Sequence, residues 1–298
     1  MTALFEENIN SVETHFENVI ETSFDTQHCH YQQVTCRIMV GHGAPGPVAE
    51  LKDMANELAA FVATWWGGLG RSGAMSHYDV VVGVVLVAVV GLLYTFLWSM
   101  LMSGKVSHGS PYYNWMSCVP LQTVGFPALA LYGWWSSPFT PTEWLAAGWE
   151  SEGRVAERLF LFGIVGYMAK DLPAGMDRVY FAHHAVCSAM AVAFLYVPPA
   201  GVMIAGSAVL EWGSVSQTLH LFNPKSAAAL YAHVAIMTLS NIGAVALALF
   251  YLTVPTSPIA VRGGFAFVVV GLSLSRQMYA HGNARAFWAA ATKKLNRD

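Results

Sequence analysis

The chain has 298 residues, of which 55% are hydrophobic and 11% are charged, whereas a soluble domain carries about 25% charged residues. Its mean hydropathy is +0.45 and its formal net charge is −3. This composition excludes an ordinary soluble domain and a basic protein with nucleic acid as a partner. It predicts an all-α, polytopic membrane helical bundle, because the apolar runs lack the polar–apolar alternation of a transmembrane β-barrel.

Residues 1–75 differ in kind from the rest and are predicted to form an acidic, amphipathic extension outside the membrane. Every charged residue before Arg37 is acidic. Apolar residues then recur at helical spacing within 48–66: Val48, Leu51, Met54, Leu58, Val62 and Trp65. This spacing is typical of an amphipathic helix lying on a membrane surface or on a partner.

A short segment of the extension carries side chains that can bind metals: His28, Cys29, His30 and Cys36. Thiolates and imidazoles are the usual zinc ligands, but this spacing does not match the common zinc patterns. We therefore predict no metal and no cofactor. A Cys29–Cys36 disulfide stays open, since it depends on an oxidising lumenal compartment.

The apolar runs predict about seven membrane spans, because a helix needs roughly 20 apolar residues to cross a bilayer. They cover residues 79–102, 113–135, 157–171, 178–197, 200–222, 227–253 and 259–280. The predicted transmembrane domain is 76–285, and a basic tail follows at 286–298. The third span is short and has charged residues at both ends.

The basic residues predict the orientation of the chain in the membrane. With this span count, one side receives Lys105, Lys170, Arg178, Lys225, Arg276, Arg285 and the basic tail with Lys293, Lys294 and Arg297. The other side receives Arg37, Lys52, Arg71, Arg154, Arg158 and Arg262, set among many acidic residues. The positive-inside tendency then places the C-terminus in the cytosol and the N-terminus in the lumen or outside. An endomembrane is the favoured location, with an organelle membrane as the alternative.

Two adjacent histidines, His183 and His184, lie in an apolar run that is predicted to cross the membrane. Ionisable side chains in a span usually face the bundle interior or a wet cavity. Consecutive helix positions are about 100° apart, so the two rings cannot face one partner equally. His183 and Cys187 share a helix face, and Cys118 and Cys187 are interpreted as small packing residues.

The next predicted span carries a polar stripe of Ser207, Glu211, Ser214 and Thr218 on an otherwise apolar helix. A carboxylate in hydrocarbon must be protonated or must find a cation or a donor. Glu211 therefore either lines a functional cavity or joins helices through hydrogen bonds, with Asn241 as one candidate partner. Both interpretations stay open.

Two sequence stretches, together with the pair Lys170–Asp171 before them, resemble the TLC-domain family. These are "DRVYFAHHAVCSAM" and, on the following helix, "VLEWGSVSQTLHLF". The family includes ceramide synthases, translocation-associated membrane proteins and smaller lipid-homeostasis proteins. The resemblance covers roughly 80–285, with specific residues only in 167–223. It implies that His183 and His184 are catalytic if the protein is an enzyme, and that a lipid or substrate cavity involves Glu211, Ser214, Thr218 and Asp171.

The chain also departs from the acyltransferase signature of that family. Ser214 stands where ceramide synthases carry a second acid, and the stretch after the histidines is the apolar "AVCSAMAVAFL". These departures favour a protein that binds or organises membrane lipid without established catalysis. Two alternatives remain: an accessory subunit of a larger membrane complex, and an N-acyltransferase with acyl-CoA as substrate. In the latter, a neutral histidine takes a proton from the attacking amine.

Overall fold

The computed structural model describes residues 47–102, 106–107, 110–172, 178–197, 200–255 and 257–295. Those residues are helical apart from connecting segments and a short antiparallel hairpin of Val106–Ser107 (β1) and Ser110–Pro111 (β2). The helices are Pro47–Leu69 (α1), His77–Leu101 (α2), Tyr112–Pro120 (α3), Phe126–Trp135 (α4), Pro141–Ala146 (α5), Val155–Ala169 (α6), Arg178–Phe194 (α7), Ala200–Phe222 (α8), Ala227–Thr253 (α9) and Ile259–Leu295 (α10).

Three of the described helices are long and apolar enough to cross a membrane: α2, α9 and the segment Ile259–Ala290 of α10. They coincide with the predicted spans 79–102, 227–253 and 259–280. Only 22% to 33% of their most apolar windows is buried inside the protein. Most of their apolar surface is therefore exposed, as helices that face lipid require.

The other predicted spans are helical, but their crossing of a membrane stays a prediction. Residues 113–135 form α3 and α4, joined by the π-helical segment Leu121–Gly125 directly after Pro120. Pro127 lies in the first turn of α4, directly after this segment. A proline lacks the N–H donor and clashes with the turn before it, which accounts for the irregular ladder here. The remaining three correspond to α6, α7 and α8, which have 15, 17 and 23 residues.

Helix α6 is almost wholly buried and packs against α2, α4 and α7. Glycines allow its backbone to touch that of α2. A Cβ on Gly166 would lie 2.6 Å from the carbonyl oxygen of Val87, and a Cβ on Gly91 would overlap the carbonyl oxygen of Gly166. Such close approach between apolar helices is typical of small residues at membrane helix crossings.

The N-terminal end of α6 carries two arginines that are buried in the protein, and the side of the membrane predicted for them stays a prediction. Arg158 is 1% exposed and donates to the carbonyls of Gly68 at 3.2 Å, Leu69 at 2.7 Å and Gly73 at 2.5 Å. Its guanidinium therefore satisfies carbonyl groups at and just beyond the C-terminal end of α1, which have no partner within that helix.

The second arginine belongs to a buried cluster beside Arg158. Arg154 Nε lies 3.1 Å from Glu157 Oε1, which also accepts from Trp144 Nε1 at 3.1 Å. Both guanidinium groups lie over the ring of Trp149, at 5.2 Å for Arg154 and 5.0 Å for Arg158. Buried charges are tolerated when they are paired and hydrogen-bonded in this way.

The predicted amphipathic helix 48–66 corresponds to α1. Met54, Leu58 and Val62 are exposed, whereas Trp65 is buried and donates from Nε1 to the carbonyl of Asp79 at 3.0 Å. The side chains of Val48 and Leu51 lie outside the described residues, as does the segment 28–36, so the question of a Cys29–Cys36 disulfide stays open. The described residues up to Ala60 and those from Phe61 onward belong to separate units, and the predicted boundaries at 75 and 285 stay predictions.

Candidate functional site

His184 forms a buried pair with Asp171, which directly follows the end of α6. The distance from His184 Nε2 to Asp171 Oδ2 is 3.0 Å, and Asp171 is fully buried. Asp171 Oδ1 also accepts from Lys170 Nζ. One carboxylate thus faces both an ammonium and an imidazole, an arrangement that offsets the cost of burying charge.

The side chain of Lys170 is fully buried in the protein, and its predicted place on the cytosolic side stays a prediction. Its Nζ donates to Cys118 Sγ at 3.2 Å and lies 4.9 Å from the centre of the Tyr167 ring. Its carbonyl accepts from Thr95 Oγ1 at 3.2 Å. Cys118 is therefore more than a packing residue, and Lys170 joins α2, α3 and the end of α6.

The two histidines face different surroundings, as their adjacent positions predict. Their rings are 5.5 Å apart and nearly perpendicular. His184 is buried beside Asp171, whereas His183 is half-buried and places its ring nitrogens 3.7 Å and 3.8 Å from Cys187 Sγ. The predicted shared face of His183 and Cys187 is thus confirmed.

Glu211 is buried, and its hydrogen-bond partner is Gln122 rather than the candidate named from the sequence. Gln122 Nε2 donates to Glu211 Oε2 at 2.7 Å and lies 2.7 Å from the hydroxyl oxygen of Tyr167. Gln122 lies in the π-helical segment and so links α8 to α6. Asn241, the candidate partner from the sequence, instead donates to Gln277 Oε1 at 3.0 Å.

Arg276, which is predicted to lie on the cytosolic side, connects α10 to α8 and α9. Its Nη1 donates to Ser214 Oγ at 3.0 Å, its Nη2 to the carbonyl of Leu210 at 2.6 Å, and its Nε to Asn241 Oδ1 at 3.2 Å. Gly213 makes room for it, because a Cβ there would overlap Arg276 Nη2. Little in the sequence signals this contact, because the predicted span ends at 280, close to Arg276, whereas the helix runs on to Leu295.

The predicted cavity residues are distributed over separate contacts rather than one cavity wall. Asp171 belongs with His184, Glu211 with Gln122, and Ser214 with Arg276. Thr218 Oγ1 donates to the carbonyl of Ser214 at 3.3 Å on its own helix. The polar stripe of α8 therefore supplies two interhelical hydrogen bonds, through Glu211 and Ser214.

A groove with a volume of about 530 Å³ lies between α8 and α9, next to the π-helical segment. Its lining is mainly apolar: Val209, Trp212, Val215, Leu219, Ile236 and Leu239, with Thr123, Ser216 and Ser240 as hydroxyl groups. Trp212 and Leu239 are 59% and 69% exposed, so the groove opens at the protein surface. The predicted cavity residues are not among those that line it.

Among the described residues, no group of three or more His, Cys, Asp and Glu side chains could hold a metal ion. Comparison with known protein families, curated proteins and solved structures gives no match to this chain.

Proposed function

We propose that this chain is a multi-pass membrane protein that binds or organises membrane lipid, with the outline of the TLC-domain family. The groove between α8 and α9 carries this proposal. Its volume of about 530 Å³ falls within the range of about 300–1,000 Å³ for small-molecule sites.

The chemistry of the groove suits a hydrocarbon chain with a small polar end. Its walls are aliphatic and aromatic, and α9, which supplies Ile236 and Leu239, is one of the helices apolar enough to cross a membrane. The deeper hydroxyls are engaged within the protein: Ser216 Oγ donates to the carbonyl of Gly213 at 2.6 Å, and Ser240 Oγ to that of Met237 at 2.9 Å. An apolar surface of this kind is costly to expose to water, so it is stable without protein contacts where lipid surrounds it.

A pair of substitutions on α9 tests the groove. Leu239→Trp fills it, whereas Leu249→Trp makes the same change at an exposed leucine that does not line it. We expect native mass spectrometry to show less co-purifying lipid for Leu239→Trp than for Leu249→Trp and the wild type. Equal lipid content in all three proteins would reject the groove as a lipid site.

A second function, acyl-CoA-dependent N-acylation, is favoured by the 3.0 Å contact between His184 and Asp171. A carboxylate that accepts from one ring nitrogen fixes the tautomer and leaves the other nitrogen as the base. That base would take a proton from an amine as it attacks the thioester, the acyl group would pass to nitrogen, and the thiol of CoA would leave. The half-buried His183 is the more accessible of the two rings.

The enzyme proposal is tested by amide formation in purified protein, with sphingoid bases and acyl-CoAs as substrates. Replacing both His183 and His184 by Ala should lower the rate by about 10²–10⁴-fold, the usual contribution of general acid–base catalysis. Asp171→Asn keeps the shape but cannot hold the same tautomer, so it should lower the rate without changing the affinity for acyl-CoA. Absence of turnover in the wild type, or full turnover in the double variant, would refute catalysis.

A further inference from the structure

Arg276 is a cation without a carboxylate in direct contact. The ion pairs within 4.0 Å among the described residues are Arg154–Glu157, Lys170–Asp171 and His184–Asp171, and Arg276 belongs to none of them. Its acceptors are a hydroxyl, a backbone carbonyl and an amide oxygen, all of them neutral. A guanidinium stays protonated in proteins and has five N–H donors, so two of them remain for a further acceptor.

Glu211 does not pair with Arg276, since none of the ion pairs within 4.0 Å among the described residues joins the two. The Oε2 atom of Glu211 already accepts from Gln122. Charged side chains in an apolar bundle are costly unless they are paired, so an arginine in this position marks a place where an anion is stabilised.

Arg276 does not line the groove, but its guanidinium lies beside Ser240, which does. Ser240 lines the groove, and a Cβ on Gly213 would overlap both Ser240 Oγ and Arg276 Nη2. The hydroxyl and the guanidinium thus meet at the same point on α8. Because Gly213 has no side chain, nothing on α8 separates the guanidinium from that hydroxyl.

We infer that the groove binds a fatty carboxylate, with its acyl chain along α8 and α9 and its carboxylate directed to Arg276. This inference rests on the proposed lipid site and names its ligand class. A carboxylate supplies the single negative charge that Arg276 lacks, and its two oxygens match the planar guanidinium. An uncharged chain of the same length fills the groove equally well but leaves the cation unpaired.

Competition between oleate and methyl oleate tests the inference on the wild-type protein. Tritiated oleate is bound to purified protein in a neutral detergent and displaced by unlabelled oleate, methyl oleate or dioleoyl phosphatidylcholine. We expect oleate to compete about tenfold or more better than its methyl ester, the effect of one charge-assisted hydrogen bond. Equal competition by the ester overturns the role of Arg276, and stronger competition by the phospholipid overturns the choice of a fatty carboxylate.

Substitutions then separate the inference from the proposed lipid site. Arg276→Gln should lose the preference for oleate over the ester, and Arg276→Lys, which keeps the charge, should retain most of it. Leu239→Trp should weaken both ligands relative to Leu249→Trp. If Leu239→Trp acts but Arg276→Gln keeps the preference, the groove stands and the anion site fails. If Leu239→Trp changes neither ligand, both proposals fail.

Discussion

Replacing Gly166 by Ala should force apart the backbones of α2 and α6. The new Cβ would lie 2.6 Å from the carbonyl oxygen of Val87, and this distance must open to an ordinary contact of at least 3.4 Å. The Thr95 hydroxyl of α2 reaches the Lys170 carbonyl at 3.2 Å, so the same movement also breaks that hydrogen bond. The change therefore affects the residues that hold Asp171 in place.

The expected loss of stability in Gly166→Ala is worked out by comparison with Gly163→Ala, three residues earlier on the same helix. There the new Cβ meets only the ring edge of Phe126 at 3.3 Å, which can move. Both variants gain about 1 kcal/mol of helix propensity, so this contribution cancels. Overpacking against a backbone costs about 1–3 kcal/mol, and the broken interhelical hydrogen bond adds about 0.6 kcal/mol.

Thermal unfolding in detergent measures the difference. We expect Gly166→Ala to melt below Gly163→Ala by on the order of 5–10 °C. Gly91→Ala should behave like Gly166→Ala, and the double variant should lose less than the sum of the two, because they act on one contact. Equal melting temperatures for Gly166→Ala and Gly163→Ala would show that the two helices do not touch through their backbones.

Three further predictions concern buried charge and orientation. Lys170→Met should lower the free energy of unfolding by about 3–5 kcal/mol, because it leaves Asp171 buried beside only His184, and adding Asp171→Asn should restore part of it. Glu211→Gln keeps an oxygen for Gln122, so we expect little change in melting, whereas Glu211→Ala should cost about 1 kcal/mol. Loss of a partner band for Glu211→Gln in native mass spectrometry, with lipid unchanged, would favour an accessory subunit. A C-terminal tag should be cleaved by protease added to the cytosolic side of sealed vesicles, and protection of the tag would contradict the predicted orientation.

The long apolar helices could be predicted from the sequence because an apolar run of that length has few other solutions. Residues 227–253 agree with α9 in both ends. The last helix begins at Ile259 as predicted but runs to Leu295, since the apolar run marks only the part that lipid can surround. A helix continues past that point where its backbone bonds are still satisfied.

The polar contacts could not be predicted, because their partners lie far apart in the sequence. Lys170 and Cys118 are separated by 52 positions, and Gln122 and Glu211 by 89. A lysine at the end of an apolar run has the same sequence signature whether it faces water or a buried carboxylate. Only the packing of α3 and α7 against the end of α6 distinguishes the two cases.

Interior cations do not change the predicted orientation of the chain. Lys170 and Arg276 were assigned to the cytosolic side, and Arg154 and Arg158 to the opposite side. All of them make their contacts inside the protein. Each side of the membrane therefore loses two basic residues from its count. The excess of basic residues on the side of the C-terminus is preserved, and the orientation stays a prediction.

The contacts of Arg158 have a mechanical consequence. One side chain of α6 holds the carbonyls of Gly68, Leu69 and Gly73, so the last turn of α1 and the loop after it are fastened to α6 rather than only to their own neighbours in the sequence. A shift of that turn along its axis must be shared by α6, whose far end carries Lys170 and Asp171. Helix α6 thus connects the end of α1 directly to the buried ion pairs. A force on that turn would reach His184 without passing through a flexible loop.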